Sequence, residues 1–460
     1  MAKDTISQYS KTAGSNTDVQ SVSIAEGMAP SDVNNAMREV MVDLASLYDG
    51  TQSLATLKTT TALSAANGTV SAPSLQATAD TNTGIYFPAA DTVGVVTGGT
   101  EQFRFGSNPI PGGDKNMLIN GNMAVAQRGS QTGIGGSDAY TLDQWKLDDT
   151  GGCQARYTVS QGTSGGVSGK DPWLSVNVTT AEAAEASGEK NGWNQFVEGN
   201  NTRAVANSSG QIKATSLGFD VKFAKGGGSS LSTPYTMCVG VYAVDADYMW
   251  VEEVSITADD TWEHKSFAID ALAQAASAID TSQGYRIQFM MLAGSNYTDG
   301  STGWNSGGGG KPATTNQDNL ADATSNILGI TNVQWEVGSV ATDFSQEDIG
   351  TSLFKCKRYY QALEGRNSLS WTVVCDSATG GYAYWSLPVE MRASPTVTIS
   401  DAGSDTVYVA NADKFSSYGS QAAVSSLNGY SSLTLSGATA GFAGRWDMGA
   451  SSYFRWSAEL

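Results

Sequence analysis

Histidine is almost missing from this chain: His264 is the single imidazole in 460 residues. One histidine cannot make the His pairs of common zinc sites, and it leaves little room for a Ser-His-Asp relay. We therefore read His264, in DDTWEHKSF, as a surface or strand residue. Cysteine is nearly as sparse. Cys153, Cys238, Cys356 and Cys375 lie far apart with no Cys-x-x-Cys spacing. Neither a thiolate metal site nor a disulfide framework is expected, and all four read as buried free thiols.

Charge is thin and one-sided. Asp, Glu, Lys and Arg make up 15% of the chain, against about 25% in ordinary soluble domains. The net charge is −19 and no basic run occurs anywhere, which argues against binding nucleic acid through its phosphates. No stretch approaches the roughly 18 apolar residues of a membrane span. The Met1-Ala2-Lys3-Asp4-Thr5 start lacks the apolar core of a signal peptide. The expectation is synthesis in a cytoplasm without an export signal, with no membrane insertion, no metal, no cofactor and no catalytic set. Paired carboxylates could still cleave glycans, since 45 acidic residues guarantee chance pairs. No pair stands out, and no β-helix repeat of the kind that carries such enzymes is visible.

What is abundant points to β structure. Glycine contributes 52 residues, about 11%, against a usual value near 7%. With it come many Ser, Thr, Ala and Asn, and 11 Trp, 18 Tyr and 13 Phe to fill cores. That composition favours short strands and many turns over helices. The length suits about three domains of roughly 150 residues.

Residues 1–29 show no helical period and read as extended or loop. Ser31 then reads as an N-cap after Pro30, with Asp32 in the first turn. Val33, Met37, Val40, Leu44 and Leu47 follow with 4-3-4-3 spacing, and Asp49-Gly50 ends the run. Such a seam covers about two heptads, too short to be stable alone. It fits either a helix packed on its own domain or a short parallel bundle with symmetry mates.

Residues 51–68 are a Thr/Ala/Leu/Ser spacer. Beyond it, turns are expected at 81–84 and 88–91, a short strand at 85–87, and a hairpin of 93–97 with 102–105 about Gly98-Gly99. This module has little core of its own, so it needs neighbours. NPIPGGD (108–114) reads as a linker and domain boundary.

From 115 to about 350, apolar alternation is broken by Gly-rich turns. WLSVNV (173–178), SLGFDVKFA (216–224), YTMCVGVYAV (235–244), HKSFAI (264–269), YRIQFMML (285–292) and NILGITNVQWEVG (326–338) read as strands. Strands so spaced imply an antiparallel jelly-roll sandwich, with MLINGNMAVAQRGS (117–130) as its first strand and turn. Residues 296–319 read as a long polar loop. TSLFKCKRYYQ (351–361) reads as a helix joining the sandwich to a β-rich, aromatic C-terminal domain. The fold class is mainly β, divided at 1–50, 51–112, 113–350 and 351–460.

Several of these stretches resemble phage tail-fibre proteins. NMLINGNMAVAQRGS, YTLDQWKL (140–147), ITNVQWEVGSVATDF (330–344) and KCKRYYQ follow that family's Asn-Gly-Asn/Gln-Arg-Gly opening, Asp-x-Trp, Gln-Leu-Glu-x-Gly strand and Cys-x-Arg-Tyr-Tyr helix. Trp335 stands where Leu is expected. Residues 16–41 resemble the tail-attachment segment of tailed-phage fibres, residues 80–105 a shaft repeat, and WSAEL a familiar ending. The likeness covers most of residues 16–360. It implies a virion protein located in the phage tail, a homotrimer joined along the helix seam, with residues 1–50 bound to tail proteins. It further implies a carbohydrate-binding-like jelly roll and a distal tip that meets host surface polysaccharide or lipopolysaccharide. The alternatives are a polysaccharide-degrading tail spike and a purely structural head fibre or adaptor.

Sugar recognition needs aromatic faces beside planar polar groups. Trp304, flanked by glycines in its loop, is one such residue. GYAYWS (381–386) sets Tyr382 and Tyr384 on one face and Trp385 on the other, with Trp371 nearby in sequence. Trp145, Trp335 and Phe344 read as sandwich core. Arg128 and Asp143, inside the family-like motif, are expected to act structurally through a salt bridge or strand-end hydrogen bonds.

Overall fold

A computed structural model describes residues 8–48, 64–105, 115–167, 172–228, 230–364, 370–400, 405–410, 412–423, 425–448 and 452–460. Asp49-Gly50, most of the 51–68 spacer and the whole 108–114 linker lie outside these residues. The chain divides into two compact units, Met1–Ser107 and Asn108–Leu460.

In the first unit the helix spans Pro30–Tyr48. It begins one residue before the expected cap. Pro30 takes the first helical position, where its fixed φ fits and its missing N–H costs nothing. The helix buries only Ala36 and Asp43. Asp43 accepts from Gln20 Nε2 at 2.8 Å and from the Tyr9 hydroxyl, so polar contacts hold the preceding segment against it. That segment is not wholly irregular: Asp18–Val19 and Val22–Ser23 pair as a small hairpin. Along the seam, Val33, Met37 and Leu44 are exposed, Met37 by 64%. Val40 and Leu47 are half-buried. Most of the apolar seam is thus uncovered in the single chain.

The shaft-like segment forms a four-stranded antiparallel sheet in the order Leu75–Ala77, Asp80–Tyr86, Val93–Thr97 and Thr100–Phe105. The hairpin about Gly98-Gly99 has φ of 57° and 75°, as a two-residue left-handed turn requires. Residues 81–84 are strand rather than turn. Gly84 is used for close strand approach, since a Cβ there would stand 2.0 Å from the Leu75 carbonyl oxygen. Among the described residues, Tyr86 and Val96 are the large apolar side chains it buries.

The second unit starts with a two-sheet antiparallel sandwich. One sheet runs Glu263–Ile269, Thr215–Ala224, Ile327–Val337, Trp173–Thr180, Arg156–Gly162 and Gln131–Ile134. Its partner runs Gly303–Ser306, Tyr248–Ile256, Tyr235–Ala243, Gln283–Ala293, Lys190–Glu198, Trp145–Thr150 and Ala139–Tyr140. From Trp173 onward the chain crosses between the sheets in the strand order of a jelly roll. Edge-on ring contacts join the layers, Phe219 to Phe289 at 5.0 Å and Tyr157 to Trp193 at 5.0 Å. Trp145 and Trp335 are core residues, while Phe344 is half-buried. All four cysteines are buried and free.

Residues 117–130 hold no strand, contrary to the expectation. Asn120 and Met123 have φ of 57° and 59°, which turns the chain back on itself. The Asn120 side chain then donates to the carbonyls of Val125 and Asp143, both at 2.9 Å, and accepts from Val125 N at 2.8 Å. The segment is a clasp in which side chains satisfy several backbone N–H groups that a strand would pair in a ladder, those of Leu118, Ile119, Val125 and Gln127. It also grips the last sandwich strand: Asn116 Nδ2 donates to the Val333 carbonyl and Met117 N to that of Trp335.

Helix Ile349–Lys357 is capped by Asp348, which accepts from Gly350 N and Thr351 N. It leads into a second pair of sheets. Three strands run Tyr360–Glu364, Tyr453–Ser457 and Thr396–Ser400. Seven run Ala412–Asp413, Thr406–Val409, Ala443–Asp447, Ser370–Cys375, Gly380–Ser386, Asn428–Leu435 and Phe415–Ala423. Trp385, Trp446, Phe454 and Trp456 fill the space between these two sheets.

Candidate functional site

Period-two alternation sorts the Gly380–Ser386 strand as the sequence suggests. Trp385 turns inward and is buried, while Tyr382 and Tyr384 face out. Neighbouring strands extend this outward row. Tyr384 lies opposite Tyr430, and Tyr382 opposite Ser432. The Tyr430 ring sits 5.6 Å from Tyr382 and 6.3 Å from Tyr384. Across the sheet, Arg445 pairs in register with both Thr372 and Tyr408. Its guanidinium stands 5.6 Å from the Tyr408 ring and bonds Asp447 at 2.7 Å. Tyr384 is 65% exposed and Tyr408 40%. One face of the sheet therefore offers four tyrosines and a planar charged pair, suited to stacking on sugar rings and hydrogen-bonding their hydroxyls.

Tyr408, Tyr430, Arg445 and Asp447 escaped the sequence reading. A local signal existed for the last two, because Trp446 between them is apolar and inward. The cross-strand neighbours had none.

Behind the same strand lies a cavity of about 70 Å³. Trp371, Trp385, Trp456, Leu363 and Leu387 form its apolar wall, with Gln361 and Lys357 adding polar groups. Exposed Leu363, Ser386 and Pro388 mark its rim, and Ser386 continues the outward row of Tyr382 and Tyr384. The rings of Trp385 and Trp456 meet at 5.4 Å. Both residues are buried, and among the described residues neither indole N–H has an acceptor. Trp371 is half-buried and stacks on Trp446 at 5.0 Å.

Trp304 is placed elsewhere. It lies in the short edge strand Gly303–Ser306, within the expected 296–319 loop, opposite Trp250. Its ring packs on the sandwich core and its indole N–H donates to the Asp270 carbonyl at 2.8 Å. The structure thus joins Trp371, Tyr382, Tyr384 and Trp385 in one domain, with Trp304 on the other sandwich.

His264 lies in a strand, with Nδ1 2.9 Å from Asp220 Oδ1. Asn332 Nδ2 donates to the other Asp220 oxygen at 2.8 Å. Among the described residues, no group of three His, Cys, Asp or Glu side chains is placed to hold a metal ion.

The family-like motifs converge on the join between the two sandwiches. Arg128 stacks 3.5 Å over the Tyr360 ring and donates to Glu459 at 2.5 Å. Asp143 accepts from Gln127 N and Nε2, both at 2.6 Å, and Gln127 also donates to the Tyr360 carbonyl. Arg128 and Asp143 hold the structural positions expected of them. Beside them, Arg358 Nη2 at 2.7 Å and the Tyr359 hydroxyl at 2.6 Å donate to buried Glu198. Burial pushes the Glu198 carboxyl up, but these hydrogen bonds outweigh it and hold the group below its usual range.

Neither a family model nor a curated protein matches the chain. Among solved structures it is similar to the carbohydrate-binding module TmCBM61 in complex with beta-1,4-galactotriose, at 9% identity. That match covers 49% of this chain and 100% of the module, with a TM-score of 0.23. It is also similar to the Stig cyclase Fisc from Fischerella sp. TAU, at 12% identity over 49% of this chain and 98% of that one, TM-score 0.23. Cucumber Necrosis Virus gives 13% identity, 77% and 96% coverage, and a TM-score of 0.14. Scores this low assign neither a fold nor a ligand.

Proposed function

We propose that the chain is a virion fibre of the tailed-phage kind, held to the tail through residues 1–50, that binds bacterial surface glycan with its C-terminal half. The observation that carries the binding role is the outward tyrosine face, with Tyr384 and Tyr408 open beside the Arg445–Asp447 pair. The ordered tail-fibre-like motifs support the fibre role. Exposed Val33, Met37 and Leu44 support a homotrimer, in which three copies would cover the seam that one chain leaves open. Binding here is non-enzymatic and needs no metal or cofactor.

Lipopolysaccharide or capsular polysaccharide from bacterial hosts, immobilised and exposed to the purified chain, tests the reading. The Tyr384→Ala, Tyr430→Ala double variant should lose at least about tenfold in affinity, as removal of stacking anchors does, and should melt like wild type. Unchanged binding would remove the tyrosine face from the proposal. Steady release of oligosaccharides would replace it with a depolymerase. Point variants suit this question better than deletion of 351–460, which would strip Arg128 and Glu198 of their partners.

A further inference from the structure

On the first sandwich, three adjacent strands place Phe196, Arg286 and Tyr242 side by side in register. Their neighbours Val197, Ile287 and Val241 fill the sandwich core, so these three stand on the outer face of the sheet. The Arg286 guanidinium lies 6.0 Å from the Phe196 ring and 5.1 Å from the Tyr242 ring. Its side chain keeps 13% of its surface, yet among the described residues it makes no hydrogen bond. Nε is enclosed, which leaves Nη1 and Nη2 as the donors that meet solvent. Nη1 stands 3.5 Å from Asp148 Oδ2, an oxygen that already accepts from Lys190 at 2.8 Å and Asn194 at 3.1 Å. A guanidinium stays charged and carries its donors in a planar fork, so a mostly buried one is unfavourable until that fork is met. Burial works against the Arg286 charge, and Asp148 offsets this only in part.

The surrounding groups do not fill the need. Lys146, 4.7 Å from the Phe196 ring, pairs with Asp138 at 3.1 Å, and Lys190 stands 5.6 Å from the Tyr297 ring. Lys146, Lys190 and Arg286 thus share the carboxylates of Asp138 and Asp148, while Asp247 accepts from the Tyr242 hydroxyl at 2.9 Å. The unpaired amide oxygens of Asn194 and Gln288 are enclosed and out of a ligand's reach. Water at the terminal nitrogens brings no countercharge. An oxyanion brings two acceptors and the charge together.

We propose that Arg286 is a second glycan subsite, in which Nη1 and Nη2 donate to an acidic substituent, a carboxylate or a phosphate, and Phe196 and Tyr242 flank the sugar that bears it. The glycan as carrier rests on the reading above. The site itself lies on a different sandwich from the tyrosine face.

The test uses the full-length chain and glycans in matched pairs. One set contrasts oligogalacturonate with the same chains after carboxyl reduction, and another contrasts phosphomannan with the same material after phosphatase. Acidic members of at least one set should bind about tenfold or more tighter, as a charge-assisted bidentate contact provides. That advantage should shrink as salt rises. Arg286→Gln should erase it and should melt like wild type, because Asp148 keeps Lys190 and Asn194. Arg286→Lys, which keeps the charge without the fork, should lose most of it and guards against misfolding of the first variant. The Tyr384→Ala, Tyr430→Ala variant should bind more weakly yet keep the ratio of acidic to neutral binding. Glycan binding without acidic preference overturns the inference and leaves the glycan reading standing. A preference that survives Arg286→Gln, or that vanishes with the two tyrosines, also overturns it by moving acid recognition elsewhere. Binding of no glycan at all sinks both.

Discussion

Glu459 and Arg128 lie 331 residues apart in sequence and meet at 2.5 Å, with side chains only 5% and 12% exposed. Burial pushes the Glu459 carboxyl from an ordinary 4.5 up to about 8, with Arg128 pulling against it. Asp143, also buried and also raised, sits close enough to add to the push. The sign follows from proton counting. The folded state holds a proton on Glu459 that the unfolded chain releases above about pH 4.5, so this stability is complete below that pH. It is lost as pH rises through about 8. At about 1.36 kcal/mol per tenfold change in proton affinity, the loss between about pH 6 and pH 9 is of order 3 kcal/mol.

Glu459→Gln imitates the protonated carboxyl and cannot titrate. It should match wild type within about 1 kcal/mol near pH 4, exceed it by about 2 kcal/mol near pH 6, and exceed it by about 4–5 kcal/mol near pH 9. Urea or thermal unfolding of both proteins across that range checks this, and the difference between the two curves cancels other titrating groups. The opposite regime makes a different forecast. If Glu459 is ionised and paired, the variant strands a buried guanidinium and loses about 3–5 kcal/mol at pH 6. That loss, or parallel pH profiles, would refute the reasoning.

Two further outcomes follow from local geometry. Gly121→Ala should destabilise the second unit by more than about 3 kcal/mol, because its Cβ would stand 2.1 Å from the Val333 carbonyl oxygen; chemical denaturation reads this directly. Val40→Asp with Leu44→Asp should convert a trimer to a monomer near 48 kDa in light scattering, with the sandwich near-UV signal unchanged. A wild-type chain that is already monomeric removes the trimer from the proposal.

Strands were legible where each residue's fate depends on its near neighbours. Trp173–Thr180 and Ile327–Val337 show themselves as apolar runs between turns. The hairpin at Gly98-Gly99 is visible because both positions need left-handed φ. Lys190–Glu198, KNGWNQFVE, was not among the strands read from alternation. It is nearly all buried, yet polar residues stand on its outward face: Lys190 bonds Asp148 at 2.8 Å and Asn194 bonds it at 3.1 Å. Only the fold shows that a charge can be buried there with its partner. The Asn-Gly turn at 120–121 was visible too, but not its use as a clasp, because the atoms it grips belong to a strand two hundred residues later.

For the candidate site the division is the same. Alternation alone put Tyr382 and Tyr384 on one face of their strand and Trp385 on the other, because successive strand side chains point opposite ways. Register decided the rest. Tyr430, Tyr408 and Arg445 come to that face through pairing with strands up to about seventy residues away. The cavity exists because Trp456 of one sheet meets Trp385 of the other. A strand's period belongs to its local chain and is written in the sequence. Which strands lie side by side is set by burying all the apolar faces at once, and only the tertiary structure decides that.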